Sequence, residues 1–130
     1  MPEYLQVMTT APTRAVARRI ARELVKERLA ACVQVLGPVE STYWWQNKQE
    51  TAAEWLCLVK TTGSRYNALV RRLGALHPYD TPEIIALPVA AGSRAYLEWL
   101  AAETRPVARR GRSTKGRAGR TENKRAGARR

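Results

Sequence analysis

Extended runs with apolar residues on both of their sides alternate along this chain with two amphipathic helices, and few folds accommodate that order. Residues 4–10 read as a strand, with Leu5 and Val7 alternating against Tyr4, Gln6 and Met8. Thr13 is a helix cap, and Ala17, Ile20, Ala21 and Leu24 then recur at helical spacing. Arg14, Arg18, Arg22 and Lys26 fall on the helix's other faces with Glu23 and Glu27 among them, the pattern of a solvated surface. Residues 31–36 and 39–45 are extended, and Gly37-Pro38 between them is short enough to be a bend in one long strand. Gln46-Asn47-Lys48 is a turn, and residues 54–61 form the strand after it. A second helix covers 64–76 with Tyr66, Leu69, Val70, Leu73 and Leu76 on one face, stopped by Pro78. Residues 83–89 are the last strand, and 94–103 a terminal helix with Leu97 and Leu100 inward.

The order β-α-β-β-α-β plus a C-terminal helix is that of two split βαβ units, an α+β arrangement of the ferredoxin-like kind with an antiparallel sheet. Right-handed crossovers put both main helices on the same face. The second face should then be polar, yet it is not. Trp55, Cys57 and Val59 lie opposite Leu56 and Leu58; Ile84, Ala86 and Pro88 lie opposite Ile85, Leu87 and Val89. Tyr43 and Trp45 likewise lie opposite Trp44. A bare second face would exceed the few hundred Å² of apolar patch that monomers leave open. The terminal helix is too short to cover it, so another copy of the chain is the expected cover.

The 130 residues suit one domain, and the net charge of +12 belongs mostly to the end of the chain. Residues 105–130 hold 11 Lys and Arg against the single acid Glu122, a net +10, which leaves +2 on residues 1–104. That division makes 1–104 the folded domain and 105–130 a basic Arg, Gly and Ala-rich tail. With Val107 as its one large aliphatic residue, the tail lacks the apolar content to offset its ordering entropy and is expected to be disordered. Arg109, Arg110, Arg112, Lys115 and Arg117 are its candidate contacts to nucleic acid or another polyanion. Without interleaved aromatics or a folded basic face, that signal is weak on its own. Cys32 and Cys57 have no CxxC spacing and no histidine companions, as expected of reduced thiols in a cytoplasmic protein. No apolar run reaches 18 residues, which excludes a membrane-spanning helix, and the first residues carry no secretory signal pattern.

Several stretches in order and at matching spacing resemble the CutA divalent-cation tolerance family: Met8-Thr9-Thr10-Ala11-Pro12, Glu27-Arg28-Leu29-Ala30-Ala31-Cys32, Ser41-Thr42-Tyr43-Trp44-Trp45 and Lys60-Thr61-Thr62. The run from His77-Pro78-Tyr79-Asp80-Thr81-Pro82-Glu83 through Val89 is the most distinctive, and Tyr96-Leu97-Glu98-Trp99-Leu100 completes the series. The resemblance covers the chain from about Tyr4 to Glu103. It implies a compact homotrimer in which long strands pair between neighbours and clefts form at the subunit boundaries. It also implies a role in tolerance of divalent metals such as copper, without an established enzymatic reaction.

His77 is the only histidine, and an imidazole suits copper, zinc or nickel. Where copper binding is proposed for the family, the resemblance points to a Cys after the first strand and to adjacent histidines; Thr9 and Leu76 stand at those places here, leaving His77. One imidazole falls short of the three or four ligands usual in a tight site, so Glu83, Cys32 or a neighbour's residues would have to join it. A hydrogen-bonded helix terminus is the alternative role for His77. Tyr43, Trp45, Lys60 and Tyr79 are candidate lining of a ligand cleft between subunits, with Lys60 able to hold an anionic group. Gln46-Asn47 replaces the acidic residue and glycine common at the family's hairpin tip, which weakens cation capture there. No Gly-rich phosphate loop, zinc-ligand pair or Ser-His-Asp set appears, so the expected reading is a protein without enzymatic activity or required cofactor, associating at most with Cu2+ or another divalent cation. A trimeric module for a small anionic ligand or protein partner, and nucleic-acid association through the tail, are the competing expectations.

Overall fold

The computed structural model of the chain describes residues 1–106. The tail's expected polyanion contacts, Arg109 to Arg117, lie outside the described residues. Strand β1 (Tyr4–Ala11) leads into helix α1 (Arg14–Lys26), then strands β2 (Cys32–Trp45) and β3 (Lys48–Thr62). A 3-10 turn (Gly63–Arg65) opens helix α2 (Tyr66–Leu76), which is followed by β4 (Ile85–Pro88) and helix α3 (Arg94–Glu103). The sheet is antiparallel in the order β2-β3-β1-β4, the split βαβ arrangement read from the sequence. None of the described helices is long and apolar enough to cross a membrane.

Local chemistry sets these elements. Thr13 Oγ1 accepts from the Val16 amide at 3.1 Å, capping α1, whose Ala17, Ile20 and Leu24 press on the sheet. Leu69, Leu73 and Leu76 of α2 do the same, against Leu5, Val7, Cys57 and Val59. Beyond Leu36 the β2–β3 ladder shifts register, so β2 runs on through Gly37-Pro38 as one bent strand. A Cβ at Gly37 would come within 2.9 Å of the Trp55 ring, which is why the bend carries glycine.

Three boundaries differ from the sequence reading by two residues or more. β3 begins at Lys48, because residues 48–54 pair with 39–45 as a two-stranded arm extending past the end of β1. Backbone pairing and a 3.2 Å contact between the Thr42 and Thr51 hydroxyls hold that arm, and its polar stretch gave no apolar alternation to read. β4 starts only at Ile85, where its pairing with Met8 of β1 begins; Val89 still donates to the Tyr4 carbonyl at 3.0 Å. α2 starts at Tyr66, with residues 63–65 wound as the tighter 3-10 turn.

Register puts Met8, Leu36, Leu58, Ile85 and Leu87 together on the face away from α1 and α2. Helix α3 folds over one end of that face. Its Ser93 cap accepts from the Tyr96 amide, Tyr96 lies beside the Cys32 thiol, and Leu100 is buried. Past α3, Leu36, Ile85 and Leu87 remain 44, 47 and 45% exposed. The terminal helix is indeed too short. Cys32 and Cys57 are both free and sit on opposite faces of the sheet, so no disulfide joins them.

Candidate functional site

A buried polar cluster is built where α2 ends. Pro78 cannot continue a helix and disfavours helical backbone before it, so His77 is extended at φ −82°, ψ 137°. Its ring then turns back on the sheet, with Nε2 2.8 Å from the Thr10 carbonyl and Nδ1 3.2 Å from the Tyr79 amide. A carbonyl only accepts and an amide only donates, so Nε2 carries the proton and Nδ1 is the acceptor. The His77 and Tyr79 rings lie 4.9 Å apart, and the Tyr79 hydroxyl donates to Glu54 Oε2 at 2.7 Å. Glu54, His77 and Tyr79 are all buried, Glu54 completely. Sequence reading had singled out His77 and Tyr79 but not Glu54.

This geometry limits what His77 does inside one subunit. Both ring nitrogens are engaged, and a metal at either would displace a buried hydrogen bond. Among the described residues no group of three or more His, Cys, Asp or Glu side chains is placed to hold a metal ion. The residues of a single subunit therefore do not fit a tight metal site. Glu83 is half-buried in the segment just ahead of β4. Cys57 lies in the core among the helix-facing residues, where burial pushes its thiol up to about 11.

The other candidates are spread along the hairpin. Tyr43 and Trp45 are half-buried on one side of the arm, and by register Glu50 and Glu54 share that side, while Trp44 on the other is 72% exposed. Gln46 and Asn47, with φ of 51° and 64°, form the tight left-handed turn that joins the strands. Lys60 sits at the opposite end of β3, its Nζ donating to Gln34 Oε1 at 2.6 Å. At about 3.3 Å per residue, Lys60 and the Trp45–Lys48 pair lie roughly 40 Å apart along β3. One subunit thus assembles His77 and Tyr79, and leaves Trp45 and Lys60 at distant points. A hollow of about 580 Å³ lies by the N-terminus and the end of α3, and a smaller one of about 270 Å³ lies along the arm. Neither is lined by a predicted site residue.

An antiparallel four-stranded sheet, two helices on one face, a third clipped across part of the other, and a protruding aromatic hairpin define a ferredoxin-like subunit with an uncovered apolar face. Residues 5–103 match the family described as CutA1 divalent ion tolerance protein. The divalent-cation tolerance protein CutA of Thermus thermophilus is 50% identical over 98 residues, spanning 75% of this chain and 95% of that protein. The chloroplastic protein CutA 1 of rice is 44% identical over 99 residues, but the chain spans only 56% of its length. Among solved structures, a divalent cation tolerance protein from Thermus thermophilus superposes with a TM-score of 0.76 at 48% identity, covering 78% of this chain and 98% of that one. CutA from Xylella fastidiosa gives 0.78 at 45% identity, covering 79% and 99%. The chain belongs to the CutA1 divalent-ion tolerance family.

Proposed function

We propose that the chain works in tolerance of divalent cations, copper among them, as a non-enzymatic homotrimer whose clefts at subunit boundaries associate with cations weakly. The observation that carries this reading is the sheet face that α3 leaves open, with Leu36, Ile85 and Leu87 nearly half exposed. Sister chains covering that face would bring one subunit's arm, with Tyr43 and Trp45, against a neighbour's Lys60, Tyr79 and Glu83. Such a cleft offers carboxylates to a cation without a fixed ligand cage, which suits weak and exchangeable binding. His77 joins it only by giving up its bond to Thr10 or Tyr79. The free thiols suit a reducing compartment such as the cytoplasm.

Titration of the full chain with Cu2+ and Zn2+ tests this, using wild type, Glu83→Gln and His77→Gln with oligomeric state followed in parallel. The reading expects saturable association of the trimer that Glu83→Gln weakens. Unchanged affinity in both variants would remove the two residues from cation handling.

A further inference from the structure

The folded domain separates its charges by layer. Arg18, Arg19, Arg22 and Lys26 of α1 and Arg71 of α2 are all exposed on the outer helix layer. The acids beside them are already taken. Arg72 Nη2 lies 2.9 Å from Glu27 Oε2 and 3.4 Å from Glu23 Oε1, and its Nε donates to both Glu27 oxygens at 3.0 Å. Among the described residues no carboxylate lies within 4.0 Å of the five exposed cations. The remaining acids, Glu3, Glu40, Glu50, Glu54, Asp80, Glu83, Glu98 and Glu103, belong to the strands, the arm, the loops and α3. The modest +2 of residues 1–104 therefore conceals a strongly basic helix face.

One further feature selects the partner of that face. The exposed aromatics Trp44, Tyr96 and Trp99 lie on the arm and α3, not on the outer helix layer. Single-stranded nucleic acid is held by stacking on aromatics, which this face lacks; a duplex is held through its phosphates. Arg18, Arg22 and Lys26 recur every fourth residue, a stripe of about 12 Å that spans roughly three or four phosphates of one strand. Covering the sheet face with sister chains leaves this layer turned outwards.

We propose that the outer face of α1 and α2 docks the phosphate backbone of a nucleic-acid duplex without reading its bases. The test is fluorescence anisotropy of the full chain on a labelled mixed-sequence DNA duplex of about 24 base pairs, between about 50 and 200 mM salt. The variant replaces Arg18, Arg19, Arg22, Lys26 and Arg71 by Gln and keeps residues 105–130. Each lost phosphate contact lowers the slope of log affinity against log salt by about 0.9, so five lower it by about 4.5, a salt sensitivity roughly 500-fold smaller over that range. The pair Arg18→Gln and Arg22→Gln alone should lower it by about 1.8, and Arg18→Lys with Arg22→Lys should leave it at the wild-type value. Lys48→Gln with Arg94→Gln, away from the helix layer, should also leave it unchanged. A wild-type slope in the five-residue variant would assign binding to the tail alone and overturn the proposal. Equal effects per charge at Lys48 and Arg94, tighter binding of a single strand than of the duplex, or capture by phosphatidylserine vesicles without duplex binding would overturn it as well.

Discussion

Two threonines on adjacent strands face the helices, are fully buried, and should respond to the same substitution with opposite signs. Thr61 Oγ1 donates to the Leu29 carbonyl at 2.7 Å, whereas Thr9 Oγ1 has no hydrogen-bond partner among the described residues. Valine keeps the β-branched shape and strand preference of threonine, so the change isolates the hydroxyl. At Thr9, removing a desolvated and unsatisfied group should recover about 1–2 kcal/mol, since such a group costs about 1–3 kcal/mol. At Thr61, the same change removes a bond worth about 1 kcal/mol and takes a donor from the Leu29 carbonyl, for a loss of about 1–2 kcal/mol. In a domain of this size, 1 kcal/mol moves the thermal midpoint by about 4–8 °C, so the two variants should bracket wild type by a readily measured span. The assay is equilibrium denaturation at one fixed protomer concentration, because the proposed self-association would make apparent stability concentration-dependent. If Thr9→Val destabilises as Thr61→Val does, the Thr9 hydroxyl is satisfied within the core and the reasoning fails.

Leu87→Asp should dissociate the oligomer, read by sedimentation velocity at micromolar protomer, while costing an isolated subunit little because Leu87 is already 45% exposed; an unchanged sedimentation coefficient would place the subunit contact elsewhere. Tyr79→Phe removes the 2.7 Å bond to the buried Glu54 carboxylate and should destabilise by about 1.5–3 kcal/mol in denaturant, with wild-type stability refuting a structural role for that bond. Burial raises the Cys57 thiol from 9.0 to about 11, so the fold favours its neutral form. That contribution is intact below pH 9.0 and is lost as pH climbs towards about 11, and Cys57→Ala should flatten the fall in stability across this window. Equal slopes in the two proteins would contradict it.

Much of the fold is legible because local chemistry and tertiary packing agree. Thr13 caps where a cap was expected, and the helical spacing of Ala17, Ile20 and Leu24 is the spacing of buried contacts. The bounds of α3 match its apolar pattern. The open apolar face was readable too, since Leu56 and Leu58 opposing Trp55, Cys57 and Val59 left no polar side to the strand. What escaped reading depends on backbone pairing or on distant partners. The arm's β3 half, Lys48 to Ala53, is polar and is held by its ladder to β2. Glu54 was legible only as the first residue of the strand at 54–61, because acids are rarely buried without a partner and its partner Tyr79 lies 25 residues away. The only local signal was a carboxylate set directly before Trp55 and Leu56, at the point where the arm meets the core. The basic helix layer was hidden by composition. Glu23 and Glu27 seemed to balance α1, and only the position of Arg72, 45 residues beyond Glu27, shows both carboxylates spent on one guanidinium.

The His-Pro-Tyr segment shows how a conspicuous motif acquires a mechanical explanation before a chemical one. Pro78 forbids another helical turn and forces extended backbone at His77. That backbone swings the ring onto the Thr10 carbonyl near the end of β1 and places Nδ1 under the Tyr79 amide. Tyr79, fixed in turn by the ring, delivers its hydroxyl to Glu54 at the root of the arm. Each residue type is needed for the next step: a proline to stop the helix, a side chain with one donor and one acceptor to bridge carbonyl and amide, and an aromatic long enough to carry a hydroxyl to the carboxylate. The segment therefore ties together the end of β1, the end of α2 and the base of the β2–β3 arm. An arm anchored in this way is held at a defined angle to the open sheet face, which is what the proposed trimer would need to present both to neighbouring chains.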